Sequence, residues 1–193
     1  SKFIEIEEIK NLEKIKENKK PVVFISGHFS NFELMAMHVE KSGINLAAIY
    51  RPLNNIFLNK SMEFIRTNYI CKNQIKKGMS GTKETLKYFK KGTSIALMID
   101  QRVSEGIKSD FFGKEALTTT IPAQFVKKFN TSVVPIYVER LIDDTFKLKI
   151  YDSIEFSNNE TVEIITKKLN KILEKMIMSN PDQWIWTHNR WKI

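Results

Sequence analysis

One cysteine, Cys71, stands in 193 residues. It rules out a disulfide within the chain and agrees with a reducing compartment. It lies in Tyr69-Ile70-Cys71, which reads as a short strand, so a small buried hydrophobe explains it better than a nucleophile does. Long apolar runs are also missing: nothing approaches the roughly 18 residues of a membrane-crossing helix. The three histidines, His28, His38 and His188, show neither zinc-type spacing with cysteine nor a His-Glu-x-x-His arrangement, which argues against a metal site. There is no G-x-G-x-x-G and no Walker loop, which removes most support for a nucleotide enzyme. No helix-turn-helix, zinc finger or aromatic-basic RNA motif is present. Internal repeats and low-complexity linkers are absent too. At this length, with 42% hydrophobic content, one domain over residues 1–193 with a substantial core is expected.

Charge of one sign is in excess. Thirty-one Lys and Arg against 22 Asp and Glu give +9, a surface that attracts acidic partners: nucleic acid, anionic lipid or an acidic carrier protein. The lysine clusters do not choose among them. Lys14, Lys16, Lys19 and Lys20, like Lys167, Lys168 and Lys171, read equally well as solvated helix faces.

Strand and helix patterns alternate along the chain. Apolar runs predict strands at 22 to 26, 45 to 50, 68 to 72, 94 to 99, 132 to 139 and 145 to 151. Helical periodicity predicts helices at 3 to 18, 31 to 42, 55 to 67, 81 to 91, 121 to 129 and 160 to 179. Gly43 suits the stop of the second helix and Pro122 the first turn of the fifth. Val162, Ile165, Leu169, Ile172, Leu173 and Met176 form the apolar stripe of the last. The fold class is therefore α/β, a two-layer or three-layer sandwich around a mixed, mostly parallel sheet. The longest irregular stretch, Gln101 to Thr120, has the length of a lid or binding loop.

The most informative segment is Gly27-His28-Phe29-Ser30-Asn31-Phe32-Glu33, directly after the first of these strands. Open α/β sheets hold their reactive groups at such strand-to-helix turns. Inside one helix, five steps of 100° would set His28 and Glu33 about 140° apart, unable to meet. With His28 in the loop and the helix beginning near Ser30 or Asn31, Glu33 falls in the first turn and reaches back to the imidazole. It would then fix the tautomer of a general base that takes the proton of an acceptor hydroxyl. Ser30-x-x-Glu33 is equally a capping box, in which Glu33 satisfies a free amide.

Taken with other segments, His28-x4-Glu33 resembles the His-x4-acidic signature of the glycerolipid and lipid A acyltransferases. Tyr50-Arg51-Pro52, Asp100-Gln101, Phe111-Phe112-Gly113 and Ala116-Leu117-Thr118-Thr119-Thr120 follow in family order. The ending Pro181-Asp182-Gln183-Trp184-Ile185-Trp186-Thr187-His188-Asn189-Arg190-Trp191-Lys192 resembles that of the late lipid A acyltransferases. The Glu-Gly-Thr-Arg/Ser block of the glycerol-phosphate branch is not matched, because Ile107-Lys108 follows Glu105-Gly106. Asn189 stands where an arginine is usual, and Ser30 where glycine is common.

The resemblance implies a glycerolipid acyltransferase-like fold and an enzyme needing no cofactor. It implies transfer of a fatty acyl group from an acyl carrier protein thioester to a hydroxyl of a lipid A precursor, at the cytoplasmic face of the bacterial inner membrane. A lysophosphatidate or other glycolipid acceptor, and a non-catalytic lipid- or carrier-binding module, are the alternatives; nucleic acid is not an expected partner. Relatives of this type carry an N-terminal membrane anchor, and this chain opens on Ser1 with no apolar signal segment, so an anchor is expected to be missing here. His28 is then the general base and Glu33 its orienting carboxylate, with backbone amides near Ser30 and Asn31 as oxyanion donors. Arg51 and Arg66 are expected to bind substrate. Asp100 and Gln101 are expected to hold the active-site loop or the acceptor, and Phe112 and Gly113, with Phe111, to line an acyl channel. Trp184, Trp186 and Trp191 are candidates for the membrane interface, and His188 and Arg190 for scaffold.

Overall fold

The structure, a computed structural model, describes residues 3–192. Its centre is β2 (Val23–Ser26), buried along its whole length. Period-two alternation sends Val23 and Ile25 to one face, while Phe24 joins the core on the other. Parallel strands flank it on both sides: β5 (Ser94–Met98) and β8 (Val133–Arg140). Beyond β5 lie β3 (Leu46–Tyr50) and then β4 (Asn73–Lys76), both parallel. Beyond β8 lies β9 (Phe146–Ile150), whose pairing with β8 is the antiparallel one, and then β1 (Ile4–Glu7). The sheet order is β1-β9-β8-β2-β5-β3-β4, a mixed and mostly parallel sheet.

Helices cover both faces, so the sandwich has three layers. Helices α1 (Lys10–Asn18) and α2 (Glu33–Lys41) seat Leu12, Ile15, Met35 and Val39 on the face that carries Phe24 and Val134. On the other face, α4 (Met79–Lys90), α5 (Ile121–Phe129) and α6 (Val162–Ser179) bring Phe89, Phe125, Ile165, Leu169 and Leu173 against Val23, Ile25 and Ile95. Between β3 and β4 the chain forms α3 (Ile56–Ile65), begun by Asn55, whose side chain accepts from the amides of Phe57 and Leu58.

Three expectations are corrected. Residues 3 to 18 do not form one helix. Ile4 and Ile6 alternate with Glu5 and Glu7, and this short run pairs with β9 as an edge strand before α1 begins. The strand expected at 68 to 72 is a π-helical turn over Arg66–Ile70, closed by the amide of Cys71 on the carbonyl of Arg66 at 2.8 Å, and the strand follows at 73–76. Cys71 is buried as expected, which pushes its thiol up to about 12. Most of the stretch from Gln101 to Thr120 is a hairpin of β6 (Ile107–Phe111) and β7 (Lys114–Thr118). Phe112 and Gly113 are its two-residue turn, both at positive φ, 54° and 75°, which matches the twist of tight hairpins.

The C-terminal segment straps this hairpin to the sheet. Arg190 is fully buried, donates to the Leu117 carbonyl and the Thr118 hydroxyl, each at 2.7 Å, and lies over the Phe111 ring. The Trp191 indole donates to the Phe111 carbonyl at 3.0 Å. Both residues are scaffold in this structure. Among the described residues no helix is long and apolar enough to cross a membrane.

Candidate functional site

Strand ends define the site. Ser26 of β2 lies opposite Met98 of β5, and the Ile99 amide donates to the Ser26 carbonyl at 3.0 Å. Two residues further along each strand, the same register sets His28 opposite Asp100. One Asp100 oxygen, Oδ1, accepts from His28 Nδ1 at 2.7 Å, and the other, Oδ2, accepts from the His28 backbone amide at 2.9 Å. The Trp184 indole also donates to Oδ2, at 2.9 Å. Asp100 is 2% exposed. Burial pushes its pKa up, but the His28 ring and amide and the Trp184 indole outweigh that and hold it below the ordinary aspartate value.

A buried carboxylate on Nδ1 fixes the ring proton there, so Nε2 of neutral His28 carries the lone pair. His28 is 19% exposed on its side chain and lines a cavity of about 200 Å³. The T-shaped contact of Phe32, with ring centroids 4.6 Å apart, and the strap restrain the imidazole further. In the strap, the Ile185 amide donates to the His28 carbonyl at 3.1 Å and the Ser30 amide to that of Gln183 at 2.7 Å.

Glu33 is not the carboxylate on His28. Helix α2 starts at Glu33, later than the geometry for a return to the imidazole requires, and the Glu33 side chain turns to Arg66 instead. Its Oε1 accepts from Arg66 Nε at 2.8 Å and from Nη2 at 2.6 Å. Nor is the capping box formed: Ser30 has φ 43° and supplies no cap to α2. Because the Ser30 amide is committed to Gln183, it is not available as an oxyanion donor.

Of the expected substrate residues, Arg51, Arg66 and Gln101 line the cavity together with His28 and Glu33. Arg51 follows the end of β3. Arg66 is presented by the π-helical turn, stacked 5.2 Å from the Tyr50 ring, and its Nη1 is buried without a protein partner. Phe112 and Gly113 do not line the cavity. The hairpin turn carries them to α6, where the Phe112 amide donates to Glu174 at 2.8 Å. Trp184 is buried at the site and Trp191 packs on the hairpin, so of the three tryptophans Trp186 is the exposed one.

Several cavity residues lie outside the expected site set, among them His188, expected as scaffold. Lys77, after β4, faces the same space, and burial lowers its pKa, opposed by Glu105 and aided by Arg51. His188 lines the cavity, and its Nε2 accepts the Arg102 amide at 3.0 Å, which makes it neutral with the proton on Nδ1. Burial is the main cause that lowers its pKa; Asp100 opposes this, and Arg190, His28 and Arg51 add to it. Apolar side chains also line the cavity, among them Met35, Ala36, Ala48, Ala96, Leu97 and Met98. Among the described residues no group of three or more His, Cys, Asp and Glu side chains is placed to hold a metal ion.

The arrangement is an imidazole with an oriented lone pair, cationic side chains and an apolar lining, all at the carboxyl ends of parallel strands. The fold is similar to that in the crystal structure of the 1-acyl-sn-glycerophosphate acyltransferase of Thermotoga maritima, with a TM-score of 0.53, 16% identity, and 94% of this chain and 73% of that one covered. Among curated proteins, the chain is 26% identical over 196 residues to the lipid A biosynthesis palmitoleoyltransferase of Escherichia coli, covering 99% of this chain and 62% of that one. It is 24% identical over 200 residues to the lipid A biosynthesis lauroyltransferase of the same organism, covering 100% and 63%. It thus spans somewhat under two thirds of the length of these relatives. The profile of the bacterial lipid A biosynthesis acyltransferases matches residues 1–193, and the chain belongs to that family.

Proposed function

We propose that this chain carries the catalytic site of an acyltransferase that moves a fatty acyl group from an acyl carrier protein thioester to a hydroxyl of a lipid A precursor, at the cytoplasmic face of the inner membrane. The observation that carries this reading is the pairing of His28 Nδ1 with buried Asp100 on an imidazole that lines the cavity. Nε2 takes the proton of the acceptor hydroxyl, and the oxygen attacks the thioester carbonyl carbon. The imidazolium is stabilised by Asp100, which keeps its own charge. The tetrahedral intermediate collapses with cleavage of the C–S bond, and His28 returns the proton to the leaving thiolate.

Arg51, Arg66 and Lys77 bring positive charge to the cavity, suited to a phosphate on the acceptor and to the developing oxyanion. The unpartnered Nη1 of Arg66 is a ready donor. Glu33 keeps Arg66 in place and is a positioning residue in this scheme. Met35, Ala36, Ala48 and Ala96 leave an apolar slot for part of the acyl chain.

The test is transfer of labelled acyl groups from acyl carrier protein to lipid A precursor, lysophosphatidate and glycolipid acceptors by the protein and its His28→Ala form. The expected result is product on the lipid A precursor that the variant does not make. Product on another acceptor only would move the assignment within the same chemistry. Undiminished turnover by His28→Ala would remove His28 from the mechanism.

A further inference from the structure

Helix α3 is built inside out. None of its residues is buried, and the side turned toward the sheet sets the polar Asn59 and Glu63 beside Met62. There Asn59 donates to Glu63 at 3.0 Å, the Tyr50 hydroxyl donates to Glu63 at 2.6 Å, and Lys76 pairs with the same carboxylate at 2.9 Å. The outer side shows Phe57, 79% exposed, and Phe64, 61% exposed, seven residues apart and so on one side of the helix. Ile56, Leu58, Ile65 and Tyr69 are exposed around them, and the Tyr69 ring packs edge-on against Phe64. A surface helix ordinarily hides such residues and shows its carboxylates, and exposed apolar surface on this scale marks a binding face.

We propose that α3 and the π-helical turn after it form a docking element that inserts Phe57, Phe64 and Tyr69 into an anionic lipid surface beside the cavity; the inference rests on the reading of the acceptor as a membrane lipid. Charge selects the partner. From Tyr50 to Lys77 there are six cationic residues, Arg51, Lys60, Arg66, Lys72, Lys76 and Lys77, and one acidic residue, Glu63, which is turned inward. Lys60 lies one turn from both Phe57 and Phe64, on the same outer side, between them and Ile56. Aromatic rings with a lysine among them suit the interface of an anionic membrane. Position agrees: Tyr50, held by Glu63, and Arg66, at the end of α3, both line the cavity. A lipid seated at α3 is therefore next to His28's cavity.

The experiment is flotation of the chain with vesicles of phosphatidylcholine alone and of phosphatidylcholine mixed with phosphatidylglycerol, for the wild type and a Phe57→Ser/Phe64→Ser variant. Each ring is worth about a tenfold change in partitioning, so the double variant should bind anionic vesicles about 100-fold more weakly. Raised salt should weaken wild-type binding. Both positions are exposed, so the melting temperature and turnover of a detergent-dispersed acceptor should stay unchanged while turnover of the same acceptor in vesicles falls. A wild type that does not float, or a variant that floats equally well, would overturn the proposal. So would a wild-type dimer that the variant converts to monomer with vesicle binding intact, since the face would then be a protein interface. Flotation needs no turnover: a protein that floats but transfers nothing refutes the acyl-transfer reading alone.

Discussion

Asp100→Asn should disable His28 while leaving the fold intact, and the size of the effect follows from the three hydrogen bonds at that carboxylate. All three partners are donors: His28 Nδ1 on one oxygen, and the His28 amide and Trp184 indole on the other. Asparagine offers one acceptor and one donor. With its oxygen toward the His28 amide and Trp184, its NH2 group faces Nδ1, which must then accept, and the ring proton moves to Nε2. The flipped amide keeps Nδ1–H but leaves two buried donors facing an NH2 group. Each unmatched buried donor costs about 1–3 kcal/mol, so the variant settles in the first arrangement by about 2–6 kcal/mol. Nε2 then carries a proton and cannot take one from the acceptor. Turnover should fall by about 30-fold to 10⁴-fold.

The assay is steady-state transfer to a detergent-dispersed acceptor. KM should move little, because Asp100 does not line the cavity. Nitrogen NMR of the imidazole should show the proton transferred from Nδ1 to Nε2, a change that loss of packing alone would not produce. Glu33→Gln is the paired measurement. It keeps an oxygen for Arg66 and touches no atom of His28, so its loss of turnover should be the smaller one. Near-normal turnover in Asp100→Asn, or a greater loss in Glu33→Gln, would refute the assignment and return the orienting role to Glu33.

Stability offers two further checks. A Cβ at Gly81 would lie 1.9 Å from the Lys76 carbonyl oxygen, backbone that cannot swing aside, so Gly81→Ala should destabilise by about 1–3 kcal/mol and lower the melting temperature; an unchanged melting curve would show that the first turn of α4 does not sit against Lys76. Acid should weaken the native state in two stages. His188 is held below its ordinary value by burial, so the unfolded chain binds the proton first and stability begins to fall below about pH 6.5. Asp100, also held below its ordinary value, adds a further loss below about pH 4, as do Glu63 and Asp110, lowered by their partners. Urea midpoints against pH should show both; His38, which burial also holds below its ordinary value, shares the first stage, so His188→Gln should shrink it and only the double replacement of His38 and His188 should remove it; a flat profile between pH 7 and 4 would contradict both histidine environments.

How far the sequence alone reaches is clearest at this pair of carboxylates. Val22 to Ser26 and Ser94 to Ile99 are readable as strands because continuous apolar runs of that length belong in a parallel sheet covered on both faces. That β5 lies beside β2 is not readable, since β3 and β4 intervene in the chain and no local pattern records strand order. Asp100 is 72 residues from His28, and only the register of Ser26 with Met98 brings them together. Glu33, five residues away, is the carboxylate that spacing offers. The same limit explains the hairpin and the strap: Phe112 at positive φ, and Trp184 reaching Asp100, are set by tertiary contacts. Yet the His28-x4-Glu33 spacing does mark two residues of one cavity. It holds Glu33 at the start of α2, where the carboxylate anchors Arg66 and keeps that guanidinium in the cavity wall. The spacing thus fixes a charge in the cavity wall, while the carboxylate paired with His28 comes from the neighbouring strand.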